Sequence, residues 1–184
     1  GVATAVVDLK NDEAPLQNYV SDMVLSQAKK IYGKDIDLSI MNSGGIRNDI
    51  AKGKVSIGQI MGLLPFNNRI VVMTITGKDL LEAFDVMASR GGDCVSENVD
   101  AVFDAETKKC TIVKINGEQV NPQKIYTLAT IDYLAGGGDY MTSLTRGEIV
   151  ATGNKVLYDE MIEFLQSQKD AQIKPSSKQR MRKK

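Results

Sequence analysis

Two glycine-rich loops carry the side chains best suited to holding a ligand. In the first, Asn42-Ser43-Gly44-Gly45-Ile46-Arg47, the glycines let the backbone approach a bound group closely and permit positive φ. Arg47 closes that loop with a planar fork of N–H donors, which matches phosphate better than a lysine ammonium does. Asn42 opens it with an amide that both donates and accepts. The second loop, Gly136-Gly137-Gly138-Asp139, has three glycines in a row, more than a plain turn needs. It ends on a carboxylate able to accept two hydroxyl hydrogen bonds from a sugar diol. Tyr133 stands just ahead of it, and Phe66 lies in Pro65-Phe66-Asn67-Asn68. Taken singly, an aromatic beside a loop more often packs in a core or on a surface. Two of them can sandwich a nucleobase, because aromatic faces stack on any base. A phosphate fork, a diol acceptor and two flat rings together describe a nucleotide.

The chemistry the chain lacks is equally specific. Among its 184 residues there is no histidine. That removes Ser-His-Asp and Cys-His triads, HExxH zinc sites and every other His-ligated metal centre. Carboxylates such as Asp35 and Asp37 flank an expected strand and are read as facing solvent. Cys94 and Cys110 are too few for a disulfide framework, and a bond between them is not favoured: a hairpin turn at 105–108 sets Cys110 opposite residue 103. The 23 basic and 23 acidic residues cancel, but six cations and no anion fall between Lys174 and Lys184, leaving 17 basic against 23 acidic residues in the body. A neutral total thus hides an acidic domain with a basic tail. No apolar run approaches the length of a membrane span, and no signal-peptide pattern is present. The start at Gly1 without methionine reads as a processed or trimmed chain, compatible with an export signal ahead of it.

These side chains need elements to position them. Apolar residues at Leu16, Tyr19, Val20, Met23, Val24, Ala28 and Ile31 predict a helix from Pro15, capped by Asn11 or Asp12 and stopped by Gly33. Ile36–Met41 reads as a buried strand running into the first glycine loop. A short helix is expected over 57–64, a strand over Arg69–Thr76 and an amphipathic helix over Lys78–Ser89. Strands at about 98–104 and 109–115 follow, then a turn at Asn116-Gly117, a strand from Tyr126 to Ile131 that feeds the second glycine loop, and a last helix over roughly 154–168. There is no internal repeat and no GxGxxG fingerprint. The order indicates one α+β (mixed α/β) domain, a mixed sheet flanked by helices. Residues 1–12 form its lead-in, 13–168 the folded domain, and 169–184 a basic tail expected to be disordered.

The chain resembles the C-terminal, substrate-binding domain of the 5′-nucleotidases, a family that includes UDP-sugar hydrolases and ecto-5′-nucleotidases. Four blocks carry the likeness in family order: Glu13-Ala14-Pro15-Leu16-Gln17-Asn18 with Asp22; Asn42-Ser43-Gly44-Gly45-Ile46-Arg47; Leu64-Pro65-Phe66-Asn67-Asn68 leading to Thr76-Gly77-Lys78-Asp79-Leu80; and Tyr133-Leu134-Ala135-Gly136-Gly137-Gly138-Asp139-Tyr140. The likeness covers roughly residues 10–168. It implies that Arg47, supported by Asn42, holds the phosphate, that Gly44 and Gly45 belong to the substrate site, and that Phe66 and Tyr133 flank the base with Asn68 at its edge. Gly138 and Asp139 would meet the ribose, and Lys10 would stand where the family has a further arginine. Three departures stand out: Tyr140 replaces the glycine after G-G-D, Gln17 replaces another glycine, and the family's Q-V-S/G-G segment is not recognisable around Val95–Val99.

In that family hydrolysis belongs to a separate N-terminal metallophosphatase domain with two divalent metal ions and a His-Asp pair. The resemblance therefore implies a nucleotide-recognition half that works with a metallophosphatase in cis or in trans. By itself the chain is expected to be inactive and to contain no cofactor. By family its setting is nucleotide catabolism in the periplasm or outside the cell. The alternative is a stand-alone nucleotide or nucleoside module without hydrolysis. Nucleic-acid binding through the 174–184 tail is a poorer fit, because the body is acidic.

Overall fold

The computed structural model describes residues 1–184. The chain enters through a short strand, β1 (Ala3–Ala5), and reaches helix α1 (Ala14–Tyr32). Pro15 suits the first turn of α1, where an N–H has no intrahelical acceptor. The expected cap at Asn11 or Asp12 does not form: Glu13 holds the N-cap position without a side-chain bond. Gly33 ends the helix at φ 73°, donating back to the Lys29 carbonyl at 2.8 Å. Strand β2 (Leu38–Met41) follows, buried at all four residues. After the first glycine loop come β3 (Gly53–Val55) and helix α2 (Ile57–Leu63), which starts on a Ser56–Gln59 capping box.

Strand β4 (Arg69–Thr76) has the predicted bounds and leads into α3 (Gly77–Ser89), capped by the Thr76 hydroxyl. A Cβ on Gly77 would lie 1.9 Å from the Asn121 carbonyl oxygen, so only glycine lets the helix start this close to the neighbouring loop. The two-residue β5 (Cys94–Val95) precedes the hairpin of β6 (Val99–Asp104) and β7 (Lys109–Ile115), with Phe103 opposite Cys110. Both cysteines are free, as expected. Asn116 and Gly117, at φ 52° and 80°, turn the chain into β8 (Glu118–Gln119). Strand β9 (Ile125–Ile131) then runs into the one-turn helix α4 (Asp132–Ala135).

Two expectations need correction beyond that point. Residues 148–156 form a strand, β10 (Glu148–Val156), so the last helix, α5 (Leu157–Ser167), begins three residues later than expected. The strand was illegible because only one of its nine residues is buried. The basic segment is also no free tail: β11 (Gln172–Ile173) pairs with β1, and β12 (Met181–Lys183) pairs with β6. Its two arginines are paired, while its four lysines stay exposed. Arg180 is buried in a two-pronged bond to Asp22 (2.7 and 2.8 Å), Arg182 pairs with Asp100, and Asn18 binds the carbonyls of Ser176 and Lys178.

These strands form a five-stranded sheet in the order β10-β4-β9-β2-β5, a four-stranded sheet β12-β6-β7-β8 and a small sheet β11-β1-β3. Helix α1 packs on the central sheet beside α5, and α3 packs on the β6–β7 hairpin. One continuous core links the layers, with Phe84 of α3 fully buried in it.

Candidate functional site

The pairing of strands brings the separated motifs together. Strands β2 and β9 are parallel neighbours, with Leu38 beside Leu128 and Ser39 beside Ala129. Their carboxyl ends therefore leave the sheet on the same side, and each end is followed by a glycine loop. Strand β4 runs antiparallel to β9, with Ile70 opposite Ile131, so the Pro65–Asn68 loop ahead of β4 reaches that same edge. A crevice beyond the carboxyl ends of neighbouring strands is where α/β sheets commonly hold ligands.

The crevice is a cleft of about 450 Å³, within the range of small-molecule sites. The first loop supplies Asn42, Gly44, Gly45 and Arg47; the loop before β4 supplies Phe66 and Asn68; the α4 segment supplies Tyr133 and Asp139. Eight of the ten residues singled out in the sequence thus share one cleft. Lys10 does not line it: its ammonium lies 3.7 Å from Asp49, because the Leu9–Ile50 bridge carries it to that loop. Gly138 does not line it either, and its part is to make room. A Cβ there would lie 2.5 Å from the Tyr133 ring, so the absence of a side chain lets the ring lie against the loop.

In the first loop neither glycine adopts positive φ, and Gly45 alone serves space, since a Cβ on Gly44 would meet nothing closer than 4.0 Å. A Cβ on Gly45 would come within 2.8 Å of Met41 and 2.9 Å of Asn42 Oδ1. In the second loop Gly137 does take the left-handed conformation, at φ 97°.

Arg47 is exposed and takes part in none of the chain's ion pairs, so its guanidinium stays available to an anion. It lies over the Phe66 ring, 5.8 Å from the centroid. Phe66 and Tyr133 are each about half exposed and both line the cleft, so part of each ring is open to a bound group. Asn42 is buried, donates through Nδ2 to Asp139 Oδ2 at 2.8 Å and leaves its own Oδ1 unpaired. The Tyr133 hydroxyl donates to the other oxygen of Asp139; that bond and the carboxylate's charge push the phenol's pKa up. A second depression of about 500 Å³ shares Gly44 and Arg47 with the cleft and extends toward Asn11 and Gln17.

No group of three or more His, Cys, Asp or Glu side chains is arranged to hold a metal ion. The residues present do not fit a two-metal hydrolytic centre, and the site contains donors, acceptors and stacking faces only. Arg90 and Asp93, which tie the two glycine loops together, escaped the sequence reading. Their signal was the Gly91-Gly92 pair between them, a third glycine cluster at the end of a helix.

Fold and cleft define an α+β domain with a recognition site at one sheet edge. The chain belongs to the 5′-nucleotidase family: the model of the 5′-nucleotidase C-terminal domain matches residues 1–146. It is similar to the trifunctional nucleotide phosphoesterase protein YfkN of Bacillus subtilis (strain 168), with 30% identity over 173 residues, covering 85% of this chain and 12% of that protein. Protein UshA of Escherichia coli (strain K12) is 33% identical over 105 residues, 56% of this chain and 19% of UshA. Among solved structures, the 5′-nucleotidase precursor from Thermus thermophilus shares the fold with a TM-score of 0.86 at 23% identity, covering 99% of this chain and 39% of that one. The chain spans less than a fifth of the length of these two curated relatives. No helix is long and apolar enough to cross a membrane.

Proposed function

We propose that this chain is the nucleotide-recognition part of a 5′-nucleotidase-type phosphohydrolase. The observation that carries the reading is the single cleft in which a guanidinium free of any ion pair, two half-exposed rings and a carboxylate converge from three separate segments. In this reading Arg47 grips the phosphate, with the amide of Asn42 and the glycine backbone beside it. Phe66 and Tyr133 stack on the base, Asn68 meets its edge, and Asp139 accepts from the ribose hydroxyls. The depression beyond Arg47 gives room for a group attached past the phosphate, as in a sugar nucleotide. Hydrolysis falls to a metallophosphatase domain or subunit, because this chain has no imidazole and no metal-holding cluster. The proposed setting is nucleotide catabolism in the periplasm or outside the cell.

The test is calorimetric titration of the chain with AMP, adenosine and a UDP-sugar, together with phosphate release from AMP in the presence of divalent metal. Binding without turnover is expected. Loss of the phosphate anchor in Arg47→Ala should weaken AMP by about tenfold while leaving adenosine within about twofold. Robust phosphate release by the chain alone, or AMP affinity indifferent to Arg47→Ala, would overturn the reading.

A further inference from the structure

Behind the cleft, an ion pair between a buried carboxylate, Asp93, and a partly exposed guanidinium, Arg90, links both glycine loops without lining the cleft. The Asp93 side chain is 3% exposed. Its Oδ1 accepts from the Ser43 N–H at 2.7 Å, in the first loop, and from the Cys94 N–H at 3.0 Å. Its Oδ2 lies 3.2 Å from Arg90 Nε. Arg90 Nη1 in turn donates to the backbone carbonyl of Asp139 at 2.9 Å, in the second loop. Gly91 and Gly92, at φ 87° and 105°, fold the end of α3 back on itself so that the two side chains meet. Burial pushes the Asp93 pKa up, while the Ser43 N–H and the Arg90 charge oppose that shift.

The carbonyl that Arg90 holds belongs to a strained residue. Asp139 sits at φ 52° and ψ 39°, and Tyr140 follows at φ 63°. Two consecutive L-residues in the left-handed region are unfavourable, and such backbone persists where surrounding contacts over-determine it. A guanidinium that spans from a buried carboxylate to this carbonyl through two different nitrogens is such a contact, and a lysine, with its single nitrogen, cannot reach both in the same way.

We propose that Arg90 and Asp93 are a positioning pair in which Arg90, braced on Asp93, sets the Asp139 carboxylate for the nucleoside part of the ligand, a role that rests on the nucleotide reading above. Neither residue touches the ligand. Removing the Arg90 side chain therefore weakens recognition of the sugar and base, while Asp93 still holds the Ser43 N–H and the exposed Arg47 fork remains able to take an anion.

The test measures affinities of the folded chain for adenosine, AMP and inorganic phosphate by NMR titration. Arg90→Ala is expected to weaken adenosine and AMP by about the same factor, roughly tenfold, and phosphate by less than about twofold. Arg90→Lys should fall between wild type and Arg90→Ala, and it carries the test if the alanine variant does not fold. In an Asp139→Ala background, Arg90→Ala should cost adenosine less than about twofold more, because the two act as a unit. Unchanged adenosine affinity in Arg90→Ala, or equal weakening of adenosine and phosphate, would overturn the positioning role while leaving the Arg47 dependence of AMP binding intact. AMP affinity indifferent to Arg47→Ala would overturn the nucleotide reading and the positioning pair together.

Discussion

The Tyr133 hydroxyl donates to Asp139 Oδ1 at 2.9 Å, so the aromatic ring and the acidic acceptor of the cleft are fixed to each other. With Asn42 bound to Oδ2, residues from two distant loops share one carboxylate. An ionised carboxylate has about four lone-pair directions, so Asp139 keeps acceptor capacity for a sugar diol. The ring and the hydroxyl of Tyr133 therefore do separable work. Tyr133→Phe keeps the stacking face and should leave AMP affinity within about threefold of wild type, whereas Tyr133→Ala should lose about tenfold or more. Titration calorimetry on the two variants checks this, and equal losses in both would show that the hydroxyl, not the ring, carries the contact.

The strain at Tyr140 is open to a direct test. Its side chain is 85% exposed, so it packs on almost nothing that would offset a left-handed backbone. Glycine adopts φ 63° without a Cβ penalty but loses more chain entropy on folding, so Tyr140→Gly should be stabilising by a net ~0.5–1 kcal/mol. The expected readout is a Tm raised by about 2 °C with AMP affinity unchanged within about twofold. A lowered Tm would mean that the phenol ring supports the loop.

Positions such as Tyr140 show where the sequence was legible and where it was not. Strand β4 could be read to the residue because Val and Ile fill it, and Gly77 directly after it begins a helix with clear apolar spacing. The cleft was legible because glycine, arginine and exposed aromatics are costly or conspicuous choices, and they cluster at strand ends. Strand β10 left no signal, since a mostly exposed strand needs no alternation. Strands β5 and β12 are two and three residues long and exist only through partners far away in the chain. Arg180 was misread for the same reason: a cation among cations looks solvated until Asp22, 158 residues earlier, is placed beside it. Lys10 was placed by resemblance alone, and the bridge that moves it away has no local signature.

The docked C-terminal segment gives a third prediction. Arg180 is 2% exposed in its side chain, and its Nη1 also donates to the Val95 carbonyl at 2.9 Å. Replacing it by alanine removes Asp22's ion-pair partner, leaving it the Glu97 N–H, and takes a charged donor from the Val95 carbonyl. Losing this pair, buried at Arg180 and one-third exposed at Asp22, costs about 2 kcal/mol, so Arg180→Ala should lower Tm by roughly 4–8 °C. Lys178→Ala, at an exposed residue of the same segment, should change Tm by less than about 2 °C. Equal small effects would mean that the segment is not docked in solution.

Glu160 offers a stability test whose sign depends on pH. The residue is 3% exposed, and Oε1 accepts from Gln27 Nε2 at 3.1 Å, while Gln27 Oε1 is buried with no partner. Burial raises the Glu160 pKa, opposed by the Gln27 bond, with Glu163 and Asp159 adding to the rise and Lys155 countering it. A carboxyl whose pKa is raised in the folded state binds its proton more readily there than in the unfolded chain, where glutamate titrates near about 4.3. Its contribution to stability therefore falls as pH rises from that value through the native pKa, and it levels once the native carboxyl has ionised. Glutamine does not titrate, and its amide can donate to the orphan Gln27 oxygen. Glu160→Gln should therefore be more stable than wild type by about 1 kcal/mol at pH 7. The advantage should shrink as pH falls toward about 4. Urea unfolding of both proteins at the two pH values measures it, and a difference that does not change with pH would show that the buried charge is not its source.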